Sequence, residues 1–153
     1  MTELTCFKSY DVRGQLGVNL DASIAYRIGR AFAEVMTPGS CVTGRDIRES
    51  SAELQEALNR GLMEGGCDVL DIGLSGTEEV YFATTHLKAG GGLMVTASHN
   101  PIDYNGIKMV GEGSRPISGD NGLRDVHDLA ASQAFSDPAR QGTLTQVDPR
   151  VEY

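Results

Sequence analysis

The chain has 153 residues, of which 40% are hydrophobic and 22% charged, a balance that suits one globular domain with a substantial core. Its net charge of −8, from 21 acidic and 13 basic residues, argues against nucleic acid or an anionic membrane as a partner, since both select a basic surface. No apolar run approaches the roughly 18 residues of a membrane span, and Met1–Tyr10 lacks the basic-then-apolar order of a signal peptide, so a cytoplasmic location is expected.

In chain order, short apolar runs alternate with helical patterns, the mark of an α/β domain. Leu4–Tyr10 reads as a first strand. Asn19 or Asp21 can cap a helix that carries Ile24, Ile28, Ala31, Phe32 and Val35 on one face, ended by Pro38 and Gly39. Cys41–Gly44 is a brief strand. Ser50 and Glu53 have capping-box spacing and open a helix with Leu54, Ala57, Leu58 and Leu62 on its apolar side. Gly65 and Gly66 stop it.

Val69–Ile72 is the next strand, and a helix over Thr77–Leu87 follows. The Gly90–Gly92 triplet breaks the chain, and Leu93–Ala97 reads as a buried strand. Asn105-Gly106 signals a tight turn before a strand at Ile107–Val110, which makes the two flanking strands antiparallel neighbours in a mixed sheet. A glycine-rich loop over 111–122 leads to a last helix at Leu123–Ala131. Residues 132–153 are polar, contain Pro138 and Pro149 and read as a linker, with no closing element before Tyr153. The expected fold is a three-layer α/β/α sandwich with a mixed, mostly parallel sheet over residues 1–131.

Cys6, Cys41 and Cys67 are odd in number and widely spaced, and each lies in or beside a strand-like run; they read as small buried hydrophobes rather than as metal ligands or redox groups. His86 and His127 fall in helical patterns without a partner at ligand spacing and read as packing or surface residues.

The chemistry concentrates in Thr96-Ala97-Ser98-His99-Asn100-Pro101, directly after a strand. Ligands of open α/β sheets bind beyond the carboxyl ends of strands. Asn100 precedes a proline and is biased to extended backbone, which stiffens the loop. A bare serine hydroxyl needs activation. His99 is an awkward base for Ser98, because adjacent residues of an extended chain point apart and no G-x-S-x-G elbow surrounds them. A serine already phosphorylated fits better: it carries about −1.5 to −2 charges and needs neighbours that neutralise them. His99, Lys108 and Arg13 can do that, with Lys108 brought back toward Ser98 by the turn at Asn105-Gly106.

This run, with Tyr104-Asn105-Gly106-Ile107-Lys108 after it, resembles the phosphoserine loop of the α-D-phosphohexomutase family. Tyr10-Asp11-Val12-Arg13-Gly14 resembles that family's first active-site motif, and Gly44-Arg45-Asp46-Ile47-Arg48 its next. The three occur in the family's order and separation. Ser75-Gly76-Thr77-Glu78-Glu79, where many members have a Thr-Pro pair, is similar to the phosphomannomutase branch found in bacterial surface-polysaccharide pathways.

The resemblance implies a catalytic set of Ser98, His99, Lys108 and Arg13, with Tyr10, Arg13, Asn100 and Lys108 toward a hexose phosphate substrate. It implies Mg²⁺ bound through a phosphate oxygen on Ser98. Arg45, Asp46 and Arg48 are expected to buttress the site as an ion-pair network. The family's Asp-Gly-Asp-x-Asp-Arg metal loop does not occur in this sequence. By that resemblance the chain corresponds to the first of four domains and works with further domains of the same polypeptide. A phosphoglucomutase, a serine hydrolase using Ser98 and His99, and a non-catalytic sugar-phosphate-binding or regulatory domain are the competing readings.

Overall fold

The computed structural model describes residues 4–8, 11–119 and 122–148. Its centre is a six-stranded sheet in the order β1 (Asp11–Gln15), β5 (Tyr104–Gly111), β4 (Gly91–Val95), β2 (Ser40–Arg45), β3 (Asp68–Leu74), β6 (Leu144–Gln146). Only β5 runs against its neighbours; the β4–β2, β2–β3 and β3–β6 pairs are parallel. Helices α1 (Ala22–Met36), α2 (Glu49–Glu64) and α4 (Leu123–Ser132) cover one face over the larger core. Helix α3 (Thr77–His86) covers the other, over Val42, Ile72, Val80 and Met94. The mixed, mostly parallel α/β/α sandwich expected from the alternation of patterns is the observed one.

The α1 periodicity also holds: Asp21 is the cap, its carboxylate accepting from Ile24 N at 2.9 Å, and Ile28, Ala31 and Phe32 are buried. Asn19, the alternative cap, instead accepts from Gln15 N at 2.7 Å. Helices α1 and α2 touch backbone to backbone. A Cβ on Gly61 would stand 2.2 Å from the Tyr26 carbonyl oxygen, and one on Gly29 would stand 2.4 Å from that of Leu58. All three cysteines are buried, as their placement beside strands implies.

Several local readings are corrected. The first strand is not Leu4–Tyr10. Residues 4–8 form a turn that meets β1 at a single Phe7–Val12 bridge, with Arg13 N donating to Cys6 O. Ser50 and Glu53 make no capping box: the cap is Arg48, two residues earlier, and the Ser50 hydroxyl accepts from Asn105 Nδ2. The glycine triplet does not break the chain, because Gly91 and Gly92 lie inside β4, where a Cβ on Gly92 would stand 2.2 Å from Thr84 Oγ1. The strand accordingly ends at Val95. Asn105-Gly106 is no turn either. Both residues lie within β5, paired to β1 as Gly14–Asn105 and Arg13–Gly106, and the chain reverses earlier, over residues 96–103.

Within the stretch read as a linker, Leu144–Gln146 adds a strand to β3, and Arg140 grips the Asp68 carboxylate through two nitrogens at 3.1 and 3.0 Å. Three exposed residues paired through their main chain to one strand carry no hydrophobic alternation, which is why this strand leaves no periodic trace in the sequence.

The tight α1–α2 crossing generates a prediction. Gly61→Ala should lower unfolding free energy by about 1–3 kcal/mol or more, since the added methyl meets main chain that cannot yield. Chemical denaturation of the two proteins measures it.

Candidate active site

The loop that carries Ser98 begins where β4 ends, at the carboxyl edge of the parallel strands. Its shape is set from β2. Asp46, one residue beyond β2, donates its own N–H to Val95 O at 2.9 Å, which extends the β2–β4 pairing by a step. Its carboxylate accepts from Ala97 N at 2.9 Å through Oδ2, from Arg48 N at 3.1 Å through Oδ1, and from the Ser51 hydroxyl. One side chain thus joins the end of β2, the first turn of α2 and the root of the Ser98 loop.

Burial pushes the Asp46 carboxyl up, but donors on Ser51, Ala97, Arg48 and Thr96 outweigh it and hold the group below its ordinary value of 3.8. Arg48 completes the clamp. Its guanidinium donates to the main-chain carbonyls of Asn100 and Pro101 and, at 3.1 Å, of Tyr104. The buttressing expected of Asp46 and Arg48 is present, but among the described residues it runs through hydrogen bonds and not an ion-pair network: Arg48 acts on main-chain carbonyls, and Asp46 on main-chain N–H groups and the Ser51 hydroxyl. Arg45 donates through its guanidinium to the Asp46 carbonyl at 3.4 Å and also lines a cleft with Asp71 and Gln146.

Within this frame the loop closes on itself. Asn100 N donates to Ala97 O at 3.0 Å, Asn100 Nδ2 donates to the same oxygen at 2.7 Å, and Ser98 N donates to Thr96 Oγ1 at 3.1 Å. The Asn100 amide therefore shapes the turn. Ser98 and His99 are exposed at its tip. Ser98 has φ of +52°, in the left-handed region that non-glycine residues seldom occupy. Such a conformation persists only where its surroundings over-determine it, and here the Asp46 and Arg48 hydrogen bonds do so.

Arg13 and Lys108 reach the same part of the sheet by register. Thr96 N donates to Gly106 O, and Gly106 pairs with Arg13, so Arg13 lies two strand spacings, about 10 Å, from the root of the Ser98 loop. Lys108 pairs with Asp11 on one side and Met94 on the other. Val12 and Ile107 enter the larger core, so alternation puts Arg13 and Lys108 together on the opposite, α3-side face. The β5 register, and not a turn at Asn105-Gly106, sets the position of Lys108. Arg13 is exposed and Lys108 half-buried. Tyr10 lies outside the described residues.

Asn105, which the following Gly106 marks for a turn, instead lies in β5 and belongs to the supporting structure. It is fully buried and donates to the hydroxyls of Ser50 and Ser51, each at 2.9 Å, tying β5 to the first turn of α2. Ser51, Gln55 and Asn59 form a buried polar stripe on α2 at intervals of four residues. Gln55 and Asn59 continue the network to Thr43 and Asp71. The i, i+4 spacing of these polar residues was the available signal. His86 stacks on Phe82, and His127 accepts from Leu4 N at 3.1 Å, both packing roles as read.

Among the described residues no group of three or more His, Cys, Asp or Glu could hold a metal ion. Asp46, the carboxylate that anchors the loop, has its oxygens committed to protein donors.

Residues 5–135 match the family described as phosphoglucomutase/phosphomannomutase, alpha/beta/alpha domain I. A protein of Klebsiella pneumoniae named phosphomannomutase is 60% identical, the match covering 100% of this chain and 99% of that one. An Escherichia coli phosphomannomutase is also 60% identical over all of this chain, but the chain spans only 34% of it. Among solved structures, a phosphoglucomutase/phosphomannomutase family protein from Burkholderia thailandensis superposes with a TM-score of 0.89 at 35% identity, covering 100% of this chain and 35% of that one. Matched relatives such as these last two extend well beyond the length of this chain.

Two outcomes test the clamp. Arg48→Ala, which strands three loop carbonyls, should cost about 1–3 kcal/mol and speed amide exchange at Ala97 and Asn100 before it affects α1. The Asp46 contribution has a depressed folded pKa, so it is complete above the ordinary value of 3.8 and is lost as pH falls through the lower folded value. Protection of the Ala97 amide, taken relative to its intrinsic exchange rate at each pH, should fall in the wild type as pH drops below 3.8, and Asp46→Asn should remove that pH dependence.

Proposed function

The chain belongs to the phosphoglucomutase/phosphomannomutase family as its α/β/α domain I, and from that premise we propose that it is the phosphoserine-bearing domain of an enzyme that interconverts mannose 1-phosphate and mannose 6-phosphate. The observation that carries the reading is the exposed Ser98, held at positive φ on a clamped loop beside the face that presents Arg13 and Lys108.

The residues divide the work by chemistry. Ser98, phosphorylated at rest, transfers its phosphoryl group to the free hydroxyl of a hexose monophosphate; the phosphorus–Oγ bond breaks as a bond to the sugar oxygen forms. A hexose 1,6-bisphosphate results, with Ser98 left as a free hydroxyl. After the sugar turns over in the site, its other phosphoryl group returns to Ser98 and the isomeric monophosphate leaves. Such transfers need in-line alignment and neutral surroundings for the equatorial oxygens. The rigid loop serves the first requirement. Arg13, with its planar fork, and Lys108, a point charge, serve the second. His99 is within its own loop's reach of the phosphate and can donate to it or to the attacking hydroxyl. Tyr10 and Asn100 complete the binding set toward the substrate.

The chain's own residues fit one ligand position for Mg²⁺, a phosphate oxygen on Ser98. When bound, the ion would neutralise charge on the transferring group. The remaining ligands and the sugar contacts belong, in this reading, to further domains beyond residues 1–131, with 132–153 leading toward them. The product feeds GDP-mannose and surface-polysaccharide synthesis in the cytoplasm. No helix among the described residues is long and apolar enough to cross a membrane. Naming mannose rather than glucose rests on the relatives' names and on Ser75-Gly76-Thr77, and a phosphoglucomutase is the second reading on the same site.

Tests follow on the full-length protein. Mass spectrometry should find phosphate on Ser98 after exposure to a hexose 1,6-bisphosphate, and Ser98→Ala should abolish mutase turnover; a Ser98→Ala enzyme with normal turnover overturns the proposal. Arg13→Ala and Lys108→Ala should each lower kcat by roughly 10²-fold, the scale for losing one charge-stabilising group, while Ser98 still accepts phosphate. Residues 1–153 alone should show negligible magnesium-dependent turnover.

A further inference from the structure

Two of the buried cysteines, remote in sequence, meet. Cys41 Sγ and Cys67 Sγ are 3.2 Å apart, one near the start of β2 and the other just before β3. A disulfide holds its sulfurs at about 2.05 Å, so roughly 1.2 Å of approach separates this pair from a bond. We propose that Cys41 and Cys67 are a modification site, a dithiol that closes to a reversible intramolecular disulfide when the protein meets a peroxide.

The surroundings differ for the two sulfurs in a way that orders the steps. Cys41 is fully enclosed within a central strand, and burial pushes its thiol well above the ordinary range. Cys67 follows Gly66, whose φ is +91°, in the turn between α2 and β3, where its N–H donates to Leu62 O at 2.9 Å. It also borders a cleft of about 310 Å³ whose walls include Pro38, Gly66, Pro138 and Arg140. That cleft brings a small oxidant to Cys67, whereas Cys41 is fully enclosed behind it.

The chemistry balances with the peroxide as sole oxidant. The Cys67 sulfur attacks the O–O bond, becoming a sulfenic acid with loss of one water. The Cys41 sulfur then displaces hydroxide from it, and a second water leaves as the S–S bond forms. Two thiols give up two electrons, and the peroxide is reduced to two waters. A dithiol reductant reverses the step by exchange.

The pair lies at the far end of the sheet from the candidate active site. Cys41 is in register with Gly91 at the start of β4, whereas Ser98 follows the end of that strand. The inference therefore stands independently of the phosphoserine reading. Cys6 provides an internal control: it is buried beside Gly14, at the β1 edge of the sheet.

The test is hydrogen peroxide treatment of the unmodified protein, followed by alkylation in denaturant and peptide mapping. The expected result is loss of two alkylatable thiols, an intact mass lower by two hydrogens, and a Cys41–Cys67 linked peptide that dithiothreitol separates. In Cys41→Ala the linkage should vanish and Cys67 should be trapped as a sulfenic acid by dimedone. Retention of alkylatable Cys41 and Cys67 at a dose that oxidises free glutathione overturns the proposal, as does a disulfide through Cys6 or between molecules.

Discussion

The Asp46 carboxylate is the point on which the local architecture turns. It stands where β2 ends, and four donors converge on it from α2, from the Arg48 main chain and from the root of the Ser98 loop. A carboxylate can accept at about four lone-pair positions, so this one is close to saturated. That saturation is what lets a half-buried charge sit at the meeting of three elements without an ion-pair partner among the described residues. Remove the carboxylate and the three elements lose a shared reference.

From that anchor outward, each layer positions the next. Arg48, one turn along the same link, spreads its guanidinium over three loop carbonyls and thereby decides where Asn100 and Tyr104 lie. Tyr104 opens β5, and the β5 register places Lys108 beside Asp11 and Arg13 across from Gly106. Asn105 then pins β5 back to α2 through Ser50 and Ser51. The left-handed Ser98 is the residue at which these constraints leave the chain no extended option. A left-handed conformation held in this way has its cost met during folding, by the contacts that fix the loop.

The polar stripe of α2 shows the same economy. A helix that packs on a sheet ordinarily presents apolar residues, and Leu54, Ala57, Leu58 and Leu62 do so toward α1 and the larger core. Ser51, Gln55 and Asn59 run beside them and are buried too. Each has a partner, Asp46, Asp71 or Thr43, so burial carries no unsatisfied donor. The helix is thereby fixed in translation as well as in rotation, since hydrogen bonds discriminate position along the axis more sharply than apolar contact does.

The α/β class, the face of α1, its Asp21 cap and the location of Ser98 after a strand were all legible in the chain, because each depends on residues within a few positions of one another. So were the three motifs that mark the family. What went astray has one cause. Ser50, Asn105-Gly106 and Gly91-Gly92 have strong local signatures, for a cap, a turn and a break, but in the folded protein each answers a distant neighbour: Ser50 answers Asn105, Gly92 answers Thr84, and Gly106 lies between two strands. Local preference is worth about 1 kcal/mol at such positions, and tertiary packing outweighs it. The pairing of Leu144–Gln146 with β3, the meeting of Cys41 with Cys67 and the convergence of donors on Asp46 join residues far apart in the chain, and only closing the sheet decides them. By itself the sequence determined the α/β class, the buried face of α1 and the place of the Ser98 loop after a strand; the tertiary structure decided the registers, because a strand's neighbours, unlike a helix's, come from elsewhere in the chain.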